Sequence, residues 1–204
     1  AGTVRVTVAS RGPGEAGRTR VIVSDSGREV GRAEGAIGEA VAIKLAEPKL
    51  WSPDAPHLYD LDVELLSGGA VVDSVKSYFA MRKIERKKAE DGFERLFLNG
   101  KAVFQFGPLD QGWWPDGLYT APTDEALRYD VEVTKKIGCN MIRKHVKVEP
   151  ARWYHHCDKA GILVWQDMPS AFTTRDAKVQ HVRPDAVEDW ARTAESAKQF
   201  ESEL

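Results

Sequence analysis

Residues 141–169 read MIRKHVKVEPARWYHHCDKAGILVWQDMP, and this stretch constrains the fold more than any other. Ile162 to Trp165 are apolar without alternation, which suits a strand buried on both faces. Asn140 to His145 reads as a second strand. Between them Pro150 suits the first turn of a helix. Trp153, Cys157 and Ala160 fall at i, i+4 and i+7, and Gly161 supplies a stop. Strand, helix and strand in this order imply parallel strands joined by a helical crossover. The upstream sequence repeats the pattern. Ala102 to Phe106 reads as a strand. Thr123 caps a helix whose first turn holds Asp124 and Glu125, favourable at the positive helix end. Leu127, Val131, Val133 and Ile137 supply its apolar side, and Gly138 ends it. Asp185 can cap a further helix with Trp190, Ala194, Ala197, Phe200 and Leu204 on one side.

The first part of the chain is patterned differently. TVRVTV (3–8), TRVIV (19–23), AVAIKL (40–45), LYDLDVELL (58–66) and AVVDSVKSYFAM (70–81) have the look of short strands. Gly12-Pro13-Gly14, Ser26-Gly27 and Ser67-Gly68-Gly69 separate them as turns. This pattern predicts an immunoglobulin-like β-sandwich over residues 1–85. Residues 82–92 read as the end of the last strand and a charged connector. Asn99-Gly100 marks a hairpin turn between two further strands. From residue 93 to 204 the alternating β/α series predicts the first three βα units of an incomplete (β/α)8 barrel, since a closed one needs ~250 residues.

With 29 basic and 31 acidic residues the net charge is −2, which argues against a dedicated nucleic-acid surface. No apolar run approaches the ~20 residues of a membrane helix. No secretory signal peptide stands at the start, and the compartment stays open, with the periplasm or secretion ahead of the cytoplasm. Cys139 and Cys157 read as two small buried thiols. His155, His156, Cys157 and Asp158 resemble a metal cluster, but adjacent helical residues point in different directions and do not converge on one ion. No metal and no cofactor is expected.

In parallel α/β folds ligands gather at the C-terminal ends of the strands. There the sequence offers Asp110, Gln111, Trp113 and Trp114, then Arg143, Lys144 and His145, then Gln166 and Asp167. Carboxylates, amides and a guanidinium bind sugar hydroxyls, and flat rings such as Trp113, Trp114 and Tyr119 suit sugar C–H faces. Blander readings stay open. Arg143 can be an ion-pair partner of Asp110 or Asp167, the two tryptophans can close over core, and His145 can be a satisfied buried histidine. Asp110 and Asp167 can also be read as a self-contained acid/base pair, a reading weakened by the exposed edges that so few strands leave.

LWSPDAPHLYDLDVEL (50–65), YFAMRKIE (78–85), LFLNGKAVFQFG (96–107) and GCNMIRKHVKVEPARWYHHCDKAGILVWQDMP (138–169) resemble ordered segments of glycoside hydrolase family 2. The resemblance implies retaining hydrolysis of terminal β-linked sugars by two carboxyl groups ~5–5.5 Å apart. In the family the acid/base glutamate follows an asparagine, and Asn-Glu does not occur in this sequence. The expectation is therefore a fragment that lacks both catalytic glutamates and is inactive alone. By resemblance Arg143 and His145 help bind the sugar, and Asp167 lies near an acidic position of the galactosidases. WQDMP replaces the family's frequent Asp-Glu-Ala-Asn run, so the family's metal is not carried over. The segment 107–117 also departs from the family, which leaves the sugar open. The expected partner is a β-glycoside, with homo-oligomerisation left open and neither nucleic acid nor membrane involved. The alternative is a carbohydrate-binding or pseudoenzyme module.

Overall fold

The computed structural model describes residues 2–10, 17–168 and 198. The expected helix from Asp185 and the Gly12-Pro13-Gly14 turn lie outside the described residues, Lys198 apart. The backbone forms two compact units, Ala1–Phe104 with Asp158–Gly161, and Gln105–Cys157 with Ile162–Leu204.

The first unit is built of antiparallel strands. β1 (Thr3–Thr7) pairs with β4 (Ala40–Lys44). β2 (Arg18–Asp25), β3 (Arg28–Ala36), β5 (Tyr59–Ser67) and β6 (Ala70–Phe79) form a four-stranded sheet in the order β3-β2-β5-β6. Val21, Val23, Tyr59 and Leu61 from this sheet share one buried cluster with Val41 and Ile43 of the other, and Val4 and Val6 pack against it. The alternation read from the sequence thus becomes two sheets closing on one core.

β3 is a strand the apolar pattern did not show. Its partly buried positions are Gly31, Ala33 and Gly35. A Cβ at Gly31 would stand 2.6 Å from Ile43 Cγ2, and one at Gly35 2.8 Å from Val41 Cγ2. Glycine here admits the large residues of the opposite sheet, so the space is filled from one side only. Residues 84–88 are also strand rather than connector. β7 (Ile84–Lys88) pairs with β8 (Glu94–Leu98), which pairs with the short β9 (Lys101–Ala102).

The β8–β9 turn is Asn99-Gly100, with φ of +51° and +81°, the left-handed pair a two-residue hairpin requires. Asn99 does more than turn the chain. Its Oδ1 accepts from Lys83 N at 3.0 Å and its Nδ2 donates to Trp51 O at 2.9 Å. Trp51 is fully buried, with Arg82 over its ring at 4.6 Å and its Nε1 donating to Asp158 O at 2.7 Å.

In the second unit β10 (Leu109–Asp110), β11 (Met141–Lys144) and β12 (Leu163–Gln166) form a parallel sheet in chain order. The first of these strands lies at 109–110, not at 102–106 as the sequence suggested. α1 (Asp124–Lys136) and α2 (Ala151–Ala160) make the crossovers. Thr123 caps α1, its side chain accepting from Ala126 N at 3.1 Å. The buried stripe of α1 is Leu127, Val131 and Thr134. Thr134 Oγ1 donates to Asp130 O at 2.8 Å, so the hydroxyl enters the interior with its bond made. Ile137, expected on that stripe, is 68% exposed, because the helix has already turned it outward at the C-cap. Cys139 and Cys157 are both buried.

Replacing Asn99 with alanine strands the Lys83 N–H and the Trp51 carbonyl together. The expected loss is about 2 kcal/mol, read from the midpoint of urea unfolding. A loss below about 0.5 kcal/mol would show that solvent replaces both bonds.

Candidate functional site

Strand register divides the candidate residues between two faces of the parallel sheet. Leu109 pairs with Arg143 and Arg143 with Trp165, while Asp110 pairs with Lys144 and Lys144 with Gln166. Side chains alternate along a strand, so these are two rows on opposite faces. Leu109 and Trp165 are about half exposed, as is the Arg143 side chain. On the other face Lys144 is 1% exposed and lies 4.3 Å from the ring centre of Trp153 in α2.

On the open face Arg143 meets Asp167 in a two-pronged contact, Nε to Oδ1 at 3.1 Å and Nη2 to Oδ2 at 2.8 Å. Of the two acidic partners considered for Arg143, the structure selects Asp167. The guanidinium holds the Asp167 carboxyl below its ordinary range, and the Arg143 pKa is raised by the same bond. Beside this pair, Gln111 Nε2 lies 3.2 Å from His145 Nδ1, and His145 N donates to Asp110 O at 2.8 Å. Asp110 and Asp167 are thus each bonded to a cation, an arrangement that does not suit a free acid/base pair.

The covered face carries a closed polar circuit. Lys144 Nζ donates to Asp110 Oδ2 at 2.6 Å and to Glu149 Oε1 at 2.9 Å. Lys147 Nζ lies 2.9 Å from the same Glu149 oxygen and donates to Gly112 O at 2.8 Å. Gly112 N then donates to Asp110 Oδ1 at 2.7 Å, closing the ring. Glu149 N donates to Tyr154 OH at 3.2 Å, and Tyr154 OH donates to Gln166 Oε1. Gln166 Nε2 returns to Lys147 O at 2.8 Å. Burial raises the Tyr154 pKa. Lys147, Glu149 and Tyr154 were missed in the sequence, and Lys144 was noticed without a role. The available signal was period two: Lys144 shares a face with Ile142, so its ammonium had to enter the interior.

The loop after β10 carries the aromatic residues. Trp114 N donates to Leu118 O at 2.7 Å and Leu118 N to Trp114 O at 2.9 Å, pinching it into a small hairpin. Trp113 is 63% exposed, its ring 4.9 Å from that of Tyr119, and Lys147 Nζ lies 4.4 Å from the Tyr119 ring centre. Trp114 is half-buried. A cavity of about 450 Å³ opens between this loop and α1, lined among others by Asp110, Gln111, Trp113 and Asp130. Arg143, His145, Gln166 and Asp167 do not line it. The structure therefore gathers Asp110, Gln111, Trp113 and His145 in one group and Arg143 with Asp167 in another. Gln166 is held among Tyr154, Lys147 and Asp167. Among the described residues no group of three or more His, Cys, Asp or Glu is arranged to hold a metal ion.

Burial first, and the negative charge of Asp110 second, raise the pKa of Asp130. A raised carboxyl pKa adds stability only while the group is protonated, and the gain disappears as pH rises through the folded-state pKa. At neutral pH Asp130→Asn should therefore raise the melting temperature. Below about pH 4, where carboxyls protonate in the unfolded chain, the difference should vanish. Thermal melts of both proteins across pH check this, and a stabilisation independent of pH would exclude the charge as its cause.

Residues 1–82 match the family model described as Glycosyl hydrolases family 2. A putative beta-glucuronidase of Formosa agariphila is 33% identical over 131 residues, covering 63% of this chain and 12% of that protein. A beta-galactosidase of Lactococcus lactis subsp. lactis is 30% identical over 126 residues, covering 61% of this chain and 12% of that protein. The chain thus spans only a small part of the length of these curated relatives. Among solved structures, Bacteroides uniformis beta-glucuronidase 3 superposes with a TM-score of 0.64 at 26% identity, over 74% of this chain and 19% of the other. A Ruminococcus gnavus β-glucuronidase superposes with a TM-score of 0.67 at 21% identity, over 77% and 26%, and supports the fold alone.

Proposed function

This chain is a relative of the family 2 glycosyl hydrolases, and on that premise we propose that it is part of an enzyme that hydrolyses terminal β-linked sugars. The observation that carries the reading is the Arg143–Asp167 pair on the exposed face where parallel strands end, with His145 and its Gln111 contact close to it. Sugar hydroxyls pair well with such carboxylate, guanidinium, amide and imidazole groups, and a pyranose C–H face lies well against Trp113. In this reading Arg143, Asp167, His145, Gln111 and Trp113 face the sugar, while Asp110 and Gln166 hold the loops and Trp114 anchors the hairpin.

We assign the first unit to an immunoglobulin-like sandwich and the second to the opening βα units of a (β/α)8 barrel. Parallel strands in chain order with helical crossovers support the barrel reading. The galactosidase and glucuronidase relatives support the β-glycoside class and leave the sugar to experiment.

The test is to assay the gene product carrying this chain against aryl β-galactosides, β-glucuronides and β-mannosides. Arg143→Ala should lower kcat/KM by about 10- to 100-fold on the substrate that is cleaved, since it removes a charge-assisted contact and leaves Asp167 unpaired. Wild-type kinetics in that variant would remove Arg143 from the site. Reading about forty codons beyond Leu204, the span of one helix end and strand, supplies an independent check. An apolar strand closing on Asn-Glu supports the enzyme. Its absence, with glycan binding but no hydrolysis, favours a carbohydrate-binding module.

A further inference from the structure

The space between the parallel sheet and its helices is one that apolar side chains ordinarily fill, and Ile142, 2% exposed, does so one row below Lys144. Instead, Lys144, Lys147 and Glu149 stand there at 1%, 6% and 6% exposed. Buried ion pairs are weak stabilisers, and apolar residues of similar volume often serve stability as well or better. What an ion circuit adds is direction, because each bond fixes a distance and an angle.

The circuit runs between the strand-end loops. Asp110 and Gly112 belong to the segment after the first parallel strand, Lys147 and Glu149 to the segment after the second, and Gln166 to the end of the third. The backbone between its two lysines is strained. Val146 has φ of +46°, a conformation unfavourable for a β-branched residue, and its cost is of order 1–3 kcal/mol. That turn brings Lys147 back toward Gly112. The close approach also needs the glycine: a Cβ at Gly112, where φ is +66°, would stand 2.5 Å from Glu149 Oε1 and 2.7 Å from Lys147 Nζ. Strain, buried charge and a glycine with left-handed backbone meet at one place, between the segments that carry Trp113 and His145.

We propose that Lys144, Glu149 and Lys147 are positioning residues, which set Trp113, His145 and Asp167 in place for a sugar without touching it. The links are short. Gly112 precedes Trp113, Lys144 precedes His145, and the Asp167 N–H donates to Lys144 O at 2.9 Å. This rests on the glycoside reading of the same strand ends.

The decisive variant replaces the whole buried circuit with apolar residues: Lys144→Met, Glu149→Leu and Lys147→Met together, leaving Asp110, whose side chain is 25% exposed, to solvent. It is compared with Glu149→Leu, which removes the carboxylate the two ammonium groups share and leaves Lys144 with Asp110 and Lys147 with the Gly112 carbonyl. In the gene product carrying this chain, the triple variant should recover most of the melting temperature lost in the single one. Its kcat/KM for the cleaved glycoside should stay about 10²-fold below wild type, the scale of an ångström of misplacement. Hydrogen exchange at the Gly112 and Asp167 amides should accelerate while Val131 and Ile142 keep their protection. Recovery of both stability and kcat/KM would reduce the circuit to filling and overturn the proposal. If the triple variant does not fold, Lys147→Met, which removes the Gly112 and Glu149 bonds and the contact with the Tyr119 ring, carries the same comparison. Slower turnover with faster exchange at Gly112 supports the proposal, and wild-type values for both overturn it. The exchange readout needs no substrate. A wild-type protein that cleaves no glycoside would therefore defeat the functional reading, while the exchange still decides whether the circuit orders the loops.

Discussion

A primary ammonium with almost no contact with water must find its compensation within the protein, and Lys144 organises the second unit around that requirement. Two carboxylate oxygens and the face of Trp153 surround it. Removing either carboxylate leaves an excess positive charge in a region of low polarity, where breaking a buried pair costs several kcal/mol. The requirement spreads outward. Glu149 must also serve Lys147, Lys147 must reach the Gly112 carbonyl, and Val146 must take a left-handed turn to allow it. Loop conformations that are usually adjustable become consequences of one buried charge.

The two sheet faces divide the work. The covered face holds Asp110, Lys144 and Gln166 in one row under the helices, and the open face holds Leu109, Arg143 and Trp165. Alternation places consecutive residues, Arg143 and Lys144, in opposite environments, so a single tripeptide with His145 supplies an exposed cation, a buried brace and an imidazole.

Much of the fold could be read in the sequence because pattern and packing coincide there. Thr123, Asn99-Gly100 and Gly138 act locally, through a cap and left-handed turns, and each stands where expected. The second and third parallel strands and α2 also followed from periodicity, while the first parallel strand did not. What stayed hidden depended on partners distant in the chain. β3 looks polar and flexible until Ile43 and Val41 are seen filling the space over its glycines. Residues 84–88 look like a linker until β8 lies beside them. At the candidate site the choice of Asp167 over Asp110 as the partner of Arg143 is a matter of strand face, and the Lys144 circuit closes only when segments 35 residues apart in sequence, Gly112 and Lys147, meet.

The hairpin after β10 has a further consequence for how this surface can change over generations. Gly112 is confined by the circuit beneath it, and a Cβ at Gly117 would stand 1.9 Å from the Thr120 carbonyl oxygen. Trp114 and Leu118 are tied through their backbones, which leaves their side chains free of that task. Pro115 and Asp116 at the tip are exposed. The loop is thus a frame with immovable glycine corners and an interchangeable tip. Lineages sharing the frame can exchange tip residues and so diversify what the surface meets, while the two glycine codons stay under constraint.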